Sequence, residues 1–187
     1  GTSAEQSEDG SSGQSEKSGT TGDMSTGGAE AAPTTEIVER PASEYEQISN
    51  KLEAWWFKRN DQHLPSGCQE DFDISQYHAY YVNSNAQDNV IYLTFDCGYE
   101  NGYTAEILDT LKEQNVKAVF FVTQTYIRDD PELVIRMKEE GHMVGNHTIT
   151  HPSLPGMSIE DQKAEIQGCA DYMKEATGYD MDPYIRP

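Results

Sequence analysis

Val90-Ile91-Tyr92-Leu93-Thr94-Phe95-Asp96-Cys97-Gly98 runs apolar, β-branched or aromatic from Val90 to Phe95 and then stops on an acid, a thiol and a glycine. A run of this length and composition reads as a buried strand that ends at Asp96. The acid then projects from the strand tip into a loop that Gly98 allows to turn sharply. Downstream, Thr104 to Gln114 sets Ile107, Leu108 and Leu111 on one helical face, and Ala118 to Val122 reads as a second buried strand. Pro131 opens another helix with Leu133, Val134 and Met137 on one side, Gly141 ends it, and Met143 to Gly145 begin a third strand. Ser158 followed by Asp161 resembles a capping box. Ile159, Ile166, Ala170 and Met173 continue as the inward stripe of a third helix that ends at Gly178, and Tyr184 to Arg186 look like the start of a fourth strand. Strands alternating with helices in this way imply βαβ units, a parallel sheet, and function at the carboxyl ends of the strands.

Upstream the regularity fades. Between Ile37 and Asn89 stand Trp55, Trp56 and Phe57, then Tyr77, Tyr80 and Tyr81, which suggests an extension that packs on a folded body. Ser43 to Lys58 reads as a short helix, and Pro65 to Gly67 as a turn. From Gly1 to Glu36 the only large apolar residue is Met24. Nothing there offsets the entropy of ordering a backbone, so a disordered acidic tail is expected. The domain expectation is therefore tail 1–36, extension 37–89 and catalytic-type domain 90–187.

The 187 residues carry 33 acids against 13 Lys plus Arg, a formal charge of -20. Phosphate backbones attract basic patches, and the absence of any Lys/Arg cluster excludes nucleic acid as the expected partner. No stretch approaches the roughly 18 consecutive apolar residues that cross a bilayer, so no transmembrane segment is expected. Cys68, Cys97 and Cys169 are irregularly spaced and form no CxxC pair, which leaves their disulfide state open.

Two clusters at strand ends carry chemistry. Asp96 is placed to act as a general base or a metal ligand. Asn146-His147-Thr148-Ile149-Thr150-His151 offers two imidazoles four residues apart in a loop, because Thr-Ile-Thr and the following Pro152 disfavour a helix. Asn146-His147-Thr148 also spells a glycosylation sequon, discounted because it sits at a buried strand end. His142 stands at the opposite end of that strand and reads as structural.

Together the two clusters are more specific than either. Thr94-Phe95-Asp96 with Gly98, Ala118-Val119-Phe120-Phe121-Val122, Gly141 through Thr148 with His151, and Arg186-Pro187 resemble, in order, the first three motifs of the polysaccharide deacetylase domain (NodB homology, carbohydrate esterase family 4). The loop Gly98-Tyr99-Glu100-Asn101-Gly102-Tyr103-Thr104 is similar to the branch that deacetylates peptidoglycan N-acetylmuramic acid on the way to the δ-lactam of spore cortex. The resemblance implies an α/β fold, an incomplete distorted (β/α) barrel in this chain. It also implies a divalent metal of zinc type and removal of acetate from an acetylated cell-wall glycan in an extracytoplasmic location. It assigns Asp96 as catalytic base, Arg186 as the arginine that aims it, and His147 and His151 as metal imidazoles. Most of the family carries a second aspartate where this chain has Cys97. The third ligand is then either the Cys97 thiolate, at roughly 2.3 Å from zinc, or water beside an inert Cys97. The later motifs, which supply a general-acid histidine and an acetyl pocket, do not appear, so a non-catalytic cell-wall-binding or metal-binding fragment is the alternative expectation.

Overall fold

The computed structural model of this chain describes residues 49–52, 57–62, 64, 67–68, 78–83 and 90–187. The expected tail at 1–36 lies outside the described residues, as do Trp55, Trp56, His63 and Tyr77. Upstream of residue 90 the regular structure described is one antiparallel pair, β1 (Phe57–Lys58) with β2 (Gly67–Cys68), in which Phe57 faces Cys68. This corrects the helix expected over Ser43 to Lys58, which is absent wherever that span is described. The Ser49 hydroxyl takes the Lys51 amide at 3.3 Å, a local bond that competes with helix. Arg59 stacks on the Phe57 ring at 5.2 Å.

The main sheet is parallel. Strands β3 (Thr94–Cys97), β4 (Val119–Val122) and β5 (Met143–Asn146) lie in that spatial order, with Asp96 beside Phe121 and Phe121 beside Gly145. Helix α1 (Thr104–Glu113) connects β3 to β4, α2 (Gln124–Asp129) and α3 (Pro131–Glu139) connect β4 to β5, and α4 (Ile159–Thr177) follows. Parallel strands need such crossovers, so the alternation read from the sequence gives the topology directly. Beyond β5, Ile185 makes a parallel bridge to Asn146, with the Asn146 amide donating to the Tyr184 carbonyl at 2.8 Å and the Arg186 amide to the Asn146 carbonyl at 2.9 Å. The fourth strand thus begins where expected, and the architecture is the α/β one of an incomplete barrel.

The first strand is shorter than its apolar run. Val90 to Leu93 are exposed, Ile91 at 84%. Pairing starts where the Val119 amide donates to the Leu93 carbonyl, and β4 has no residues opposite the earlier positions. Apolar character therefore outruns the available neighbour.

One face of the sheet carries the core. Phe120, Val122 and Val144 pack against Leu108 and Leu111 of α1, Val134 and Met137 of α3, and Cys169 and Met173 of α4. Of the predicted α4 stripe only Met173 is fully buried; Cys169, overlooked from sequence, is 0% exposed. Ser158 caps α4, accepting from the Asp161 amide at 3.1 Å and donating to its carboxylate at 2.8 Å, and Gly178 closes it at φ +78°. His142 is buried at the entrance of β5. Its Nδ1 accepts from the Ala118 amide at 3.2 Å and its ring meets Phe120 edge-on at 5.4 Å. Its Nε2 has no partner among the described residues. Burial, then the nearby Lys117 charge, pushes its pKa down, which keeps it neutral and structural as the sequence suggested.

Candidate active site

The opposite face and the strand tips carry the polar groups. Side chains alternate along β3, so Asp96 emerges on the open face while Cys97 enters the core. Asp96 Oδ1 accepts from Arg186 Nη1 at 2.7 Å, and the same nitrogen donates to Thr94 Oγ1 at 3.1 Å. The Arg186 guanidinium lies over the Phe121 ring at 4.4 Å. Sequence reading named Asp96 and Arg186, and the structure brings them together. The sequence assigned no role to Thr94 and Phe121, which complete the arginine's seat.

The two imidazoles also meet. His147 directly follows β5, and its ring lies 4.5 Å from that of His151 at 71°. The turn between them is held by side chains. The Thr148 amide donates to Asn146 Oδ1 at 2.8 Å, and the His151 amide to Thr148 Oγ1 at 3.0 Å. Asn146 itself is buried with its amide on the Ile166 carbonyl, which leaves the sequon inaccessible. Thr148 and His151 adopt φ of +69° and +56°, left-handed conformations that cost roughly 1–3 kcal/mol each and persist only where the surroundings impose them. Glu165 of α4 helps impose them by accepting the Ile149 and Thr150 amides at 2.9 Å each and the Thr150 hydroxyl at 3.0 Å. No local pattern marks Glu165, because its partners lie in a loop that only the packing of α4 brings near.

His147 Nδ1 lies 2.6 Å from the Arg186 carbonyl oxygen. A carbonyl can only accept, so Nδ1 carries the proton and Nε2 keeps its lone pair. This is the arrangement by which an outer hydrogen bond readies a histidine to bind metal. It also joins the two pairs through one residue, Arg186, whose backbone holds His147 and whose side chain holds Asp96. Gly98, Tyr99, Thr123, Thr125, His147 and His151 line an open cleft of about 300 Å³, together with Ile149 and Thr150. Two imidazoles with rings 4.5 Å apart, beside an open cleft, are a donor pair that could hold a divalent ion, with its remaining positions left to other groups.

Cys97 does not join them. It is 9% exposed within the core cluster. Burial, then the charges of Asp96 and Glu100, pushes its thiol up to about 12. No group of three His, Cys, Asp or Glu side chains poised for a metal occurs among the described residues.

The loop after β3 is fixed by its own acid. Glu100 Oε1 accepts the Gly102 and Thr104 amides at 2.6 and 3.2 Å, and Oε2 accepts the Tyr126 hydroxyl at 3.0 Å. Helix α2, which sequence reading missed, supplies Tyr126. Its signal was Thr123, which caps α2 by accepting the Tyr126 amide at 3.2 Å and also donates to the Gly98 carbonyl at 3.1 Å.

Residues 83–187 match the family model described as polysaccharide deacetylase. The peptidoglycan-N-acetylmuramic acid deacetylase PdaA of Bacillus subtilis is 39% identical over 148 residues, 78% of this chain and 56% of that protein. A peptidoglycan-N-acetylglucosamine deacetylase of Bacillus cereus is 33% identical over 121 residues, 65% of this chain and 44% of that protein. The solved structure of Bacillus subtilis PdaA, a family 4 carbohydrate esterase, superposes with a TM-score of 0.70 at 38% identity, covering 75% of this chain and 60% of that one. The chain thus spans about half the length of these curated relatives.

Proposed function

Because the chain belongs to the polysaccharide deacetylase family, we propose that it hydrolyses the N-acetyl group of a cell-wall polysaccharide, with peptidoglycan N-acetylmuramic acid as the substrate. The observation that carries the reading is the junction at Arg186, which ties a carboxylate on an open sheet face to an imidazole pair facing a cleft. Amide hydrolysis needs a base for water and a stabiliser for the charge that develops on the acyl oxygen. Asp96 is the base. Arg186 occupies Oδ1, which leaves Oδ2 to take the proton as water attacks the acetyl carbon. His147 and His151 would hold a divalent ion, and the Nδ1 proton of His147, on the Arg186 carbonyl, would leave its Nε2 for that bond. When bound, such an ion polarises the acetyl carbonyl and acidifies water. The C–N bond then breaks as the proton that Asp96 took from water passes on to the nitrogen, giving acetate and a free amine. Cys97 would not contribute to holding that ion, because its side chain is buried in the core cluster on the other face of β3.

The preference for N-acetylmuramic acid is supported by the loop 98–104, similar to that branch in sequence, and by the PdaA relative. Peptidoglycan lies outside the cytoplasmic membrane, so this substrate places the site of action there. No helix among the described residues is long and apolar enough to cross a membrane. The test is acetate release by the full-length protein with zinc from peptidoglycan fragments, followed by mass spectrometry of the separated sugars. Loss of acetyl from muramic acid is expected. Loss only from glucosamine overturns the substrate, and release from neither overturns the activity.

A further inference from the structure

We propose that Phe121 is a positioning residue of this site, a platform that carries the Arg186 guanidinium across the sheet to Asp96, and that position 145 is glycine to make room for it. The inference rests on the reading of Asp96 as base and Arg186 as its partner.

The geometry sets a problem of reach. Asp96, Phe121 and Gly145 are register partners on β3, β4 and β5 and share the open face. Arg186 is anchored beyond β5 by its amide on the Asn146 carbonyl. Its side chain must therefore reach back over the open face, past β5 and β4, to meet the Asp96 carboxylate that extends from β3. A long side chain on an open face has many rotamers, and an ion pair whose partners are 39% and 45% exposed fixes it weakly.

The Phe121 ring removes the alternatives. It lies on the middle strand, directly on the path, with the guanidinium carbon 4.4 Å above its centroid. Aromatic faces attract guanidinium groups at this separation. The ring reaches over β5, because a Cβ built on Gly145 would stand 2.7 and 2.8 Å from its Cε1 and Cδ1 atoms and 3.0 Å from the Tyr184 carbonyl. Gly145 has no unusual backbone angle to account for it. What it supplies is space. Phe121 is 7% exposed, so the platform is itself held firmly.

Two measurements on the full-length protein test this. In metal-free protein without substrate, the Arg186 side-chain protons should show an upfield ring-current shift that Phe121→Leu abolishes. In turnover, Phe121→Leu should lower kcat about tenfold with KM little changed, the scale of a lost cation–π contact, and Phe121→Tyr should recover most of the loss. In an Arg186→Ala background, Phe121→Leu should add nothing. Gly145→Ala, which touches neither charged group, should lower kcat by pushing the ring aside. If Phe121→Leu fails to fold, Gly145→Ala and the wild-type ring-current shift decide. The proposal is overturned by an unshifted Arg186 in the wild type, by equal loss from Phe121→Leu in both backgrounds, or by full activity in Gly145→Ala. Retained turnover in Asp96→Asn would instead sink the catalytic reading, and the ring-current shift would still judge the platform.

Discussion

Asp96 and Cys97 are neighbours whose fates are opposite because a strand sends successive side chains to opposite faces. Asp96 stands on the open face beside Arg186, so Asp96→Asn should lower turnover by roughly 10²–10⁴-fold, the scale of a lost general base, while zinc affinity measured by calorimetry stays within a small factor. Retained turnover would remove the base assignment. Cys97 lies in the core with its thiol raised to about 12 by burial and then by the Asp96 and Glu100 charges. Cys97→Ser therefore places a hydroxyl in an apolar site and should cost about 1–3 kcal/mol in urea unfolding with zinc affinity unchanged. A large loss of affinity would restore the thiol as a ligand. The histidines divide in the same way. His147→Ala and His151→Ala should abolish tight zinc binding, whereas His142→Ala should spare it, since His142 sits at the far end of β5 and serves the Ala118 amide.

Each strand-tip loop is held by a carboxylate, and the two work at different ranges. Glu165 reaches from α4 to three groups of the 149–150 segment. Glu165→Ala should speed hydrogen exchange at the Ile149 and Thr150 amides and weaken zinc binding roughly tenfold, the low end for groups that orient metal ligands. Unchanged exchange would show that α4 packing alone holds the turn. Glu100 acts within its own loop. Burial tends to raise its pKa, but hydrogen bonds from Thr104, Tyr126 and Gly102 outweigh this and hold it at about 2 against an ordinary 4.5. A folded value below the unfolded one means that the stabilisation is complete above pH 4.5 and fades as pH falls through about 2. Amide exchange at Gly102 and Thr104 should accordingly accelerate over that interval, and Glu100→Gln should bring the same acceleration to neutral pH. An interval centred at 4.5 would show that the bonds do not favour the ionised form.

In the molecule as a whole, the proposed metal pair and the proposed base are supplied by different strands, so ion binding and folding should be linked. Zinc at 100 times its Kd should stabilise the native state by about 2.7 kcal/mol, seen as a higher thermal midpoint that a chelator reverses and His147→Ala never shows. The parallel sheet, α1, α3 and α4 were legible from apolar runs, proline and glycine punctuation and the Ser158 cap, all signals that span a few residues. So were the strand-end positions of Asp96, His147 and His151, where groups of a parallel sheet converge, while their proposed roles come from the family resemblance. The short helix α2 was missed although Thr123 marks its start, and β1 was read as the end of a helix because its partner strand was out of view. The sequence by itself determined which segments alternate and which side chains stand at their tips, since periodicity and capping are set by neighbours in the chain. Tertiary structure alone decided the row Asp96, Phe121, Gly145, the hold of Glu165, and the burial of Cys97. Those depend on the register and faces of strands joined through whole βα units, which no local pattern encodes.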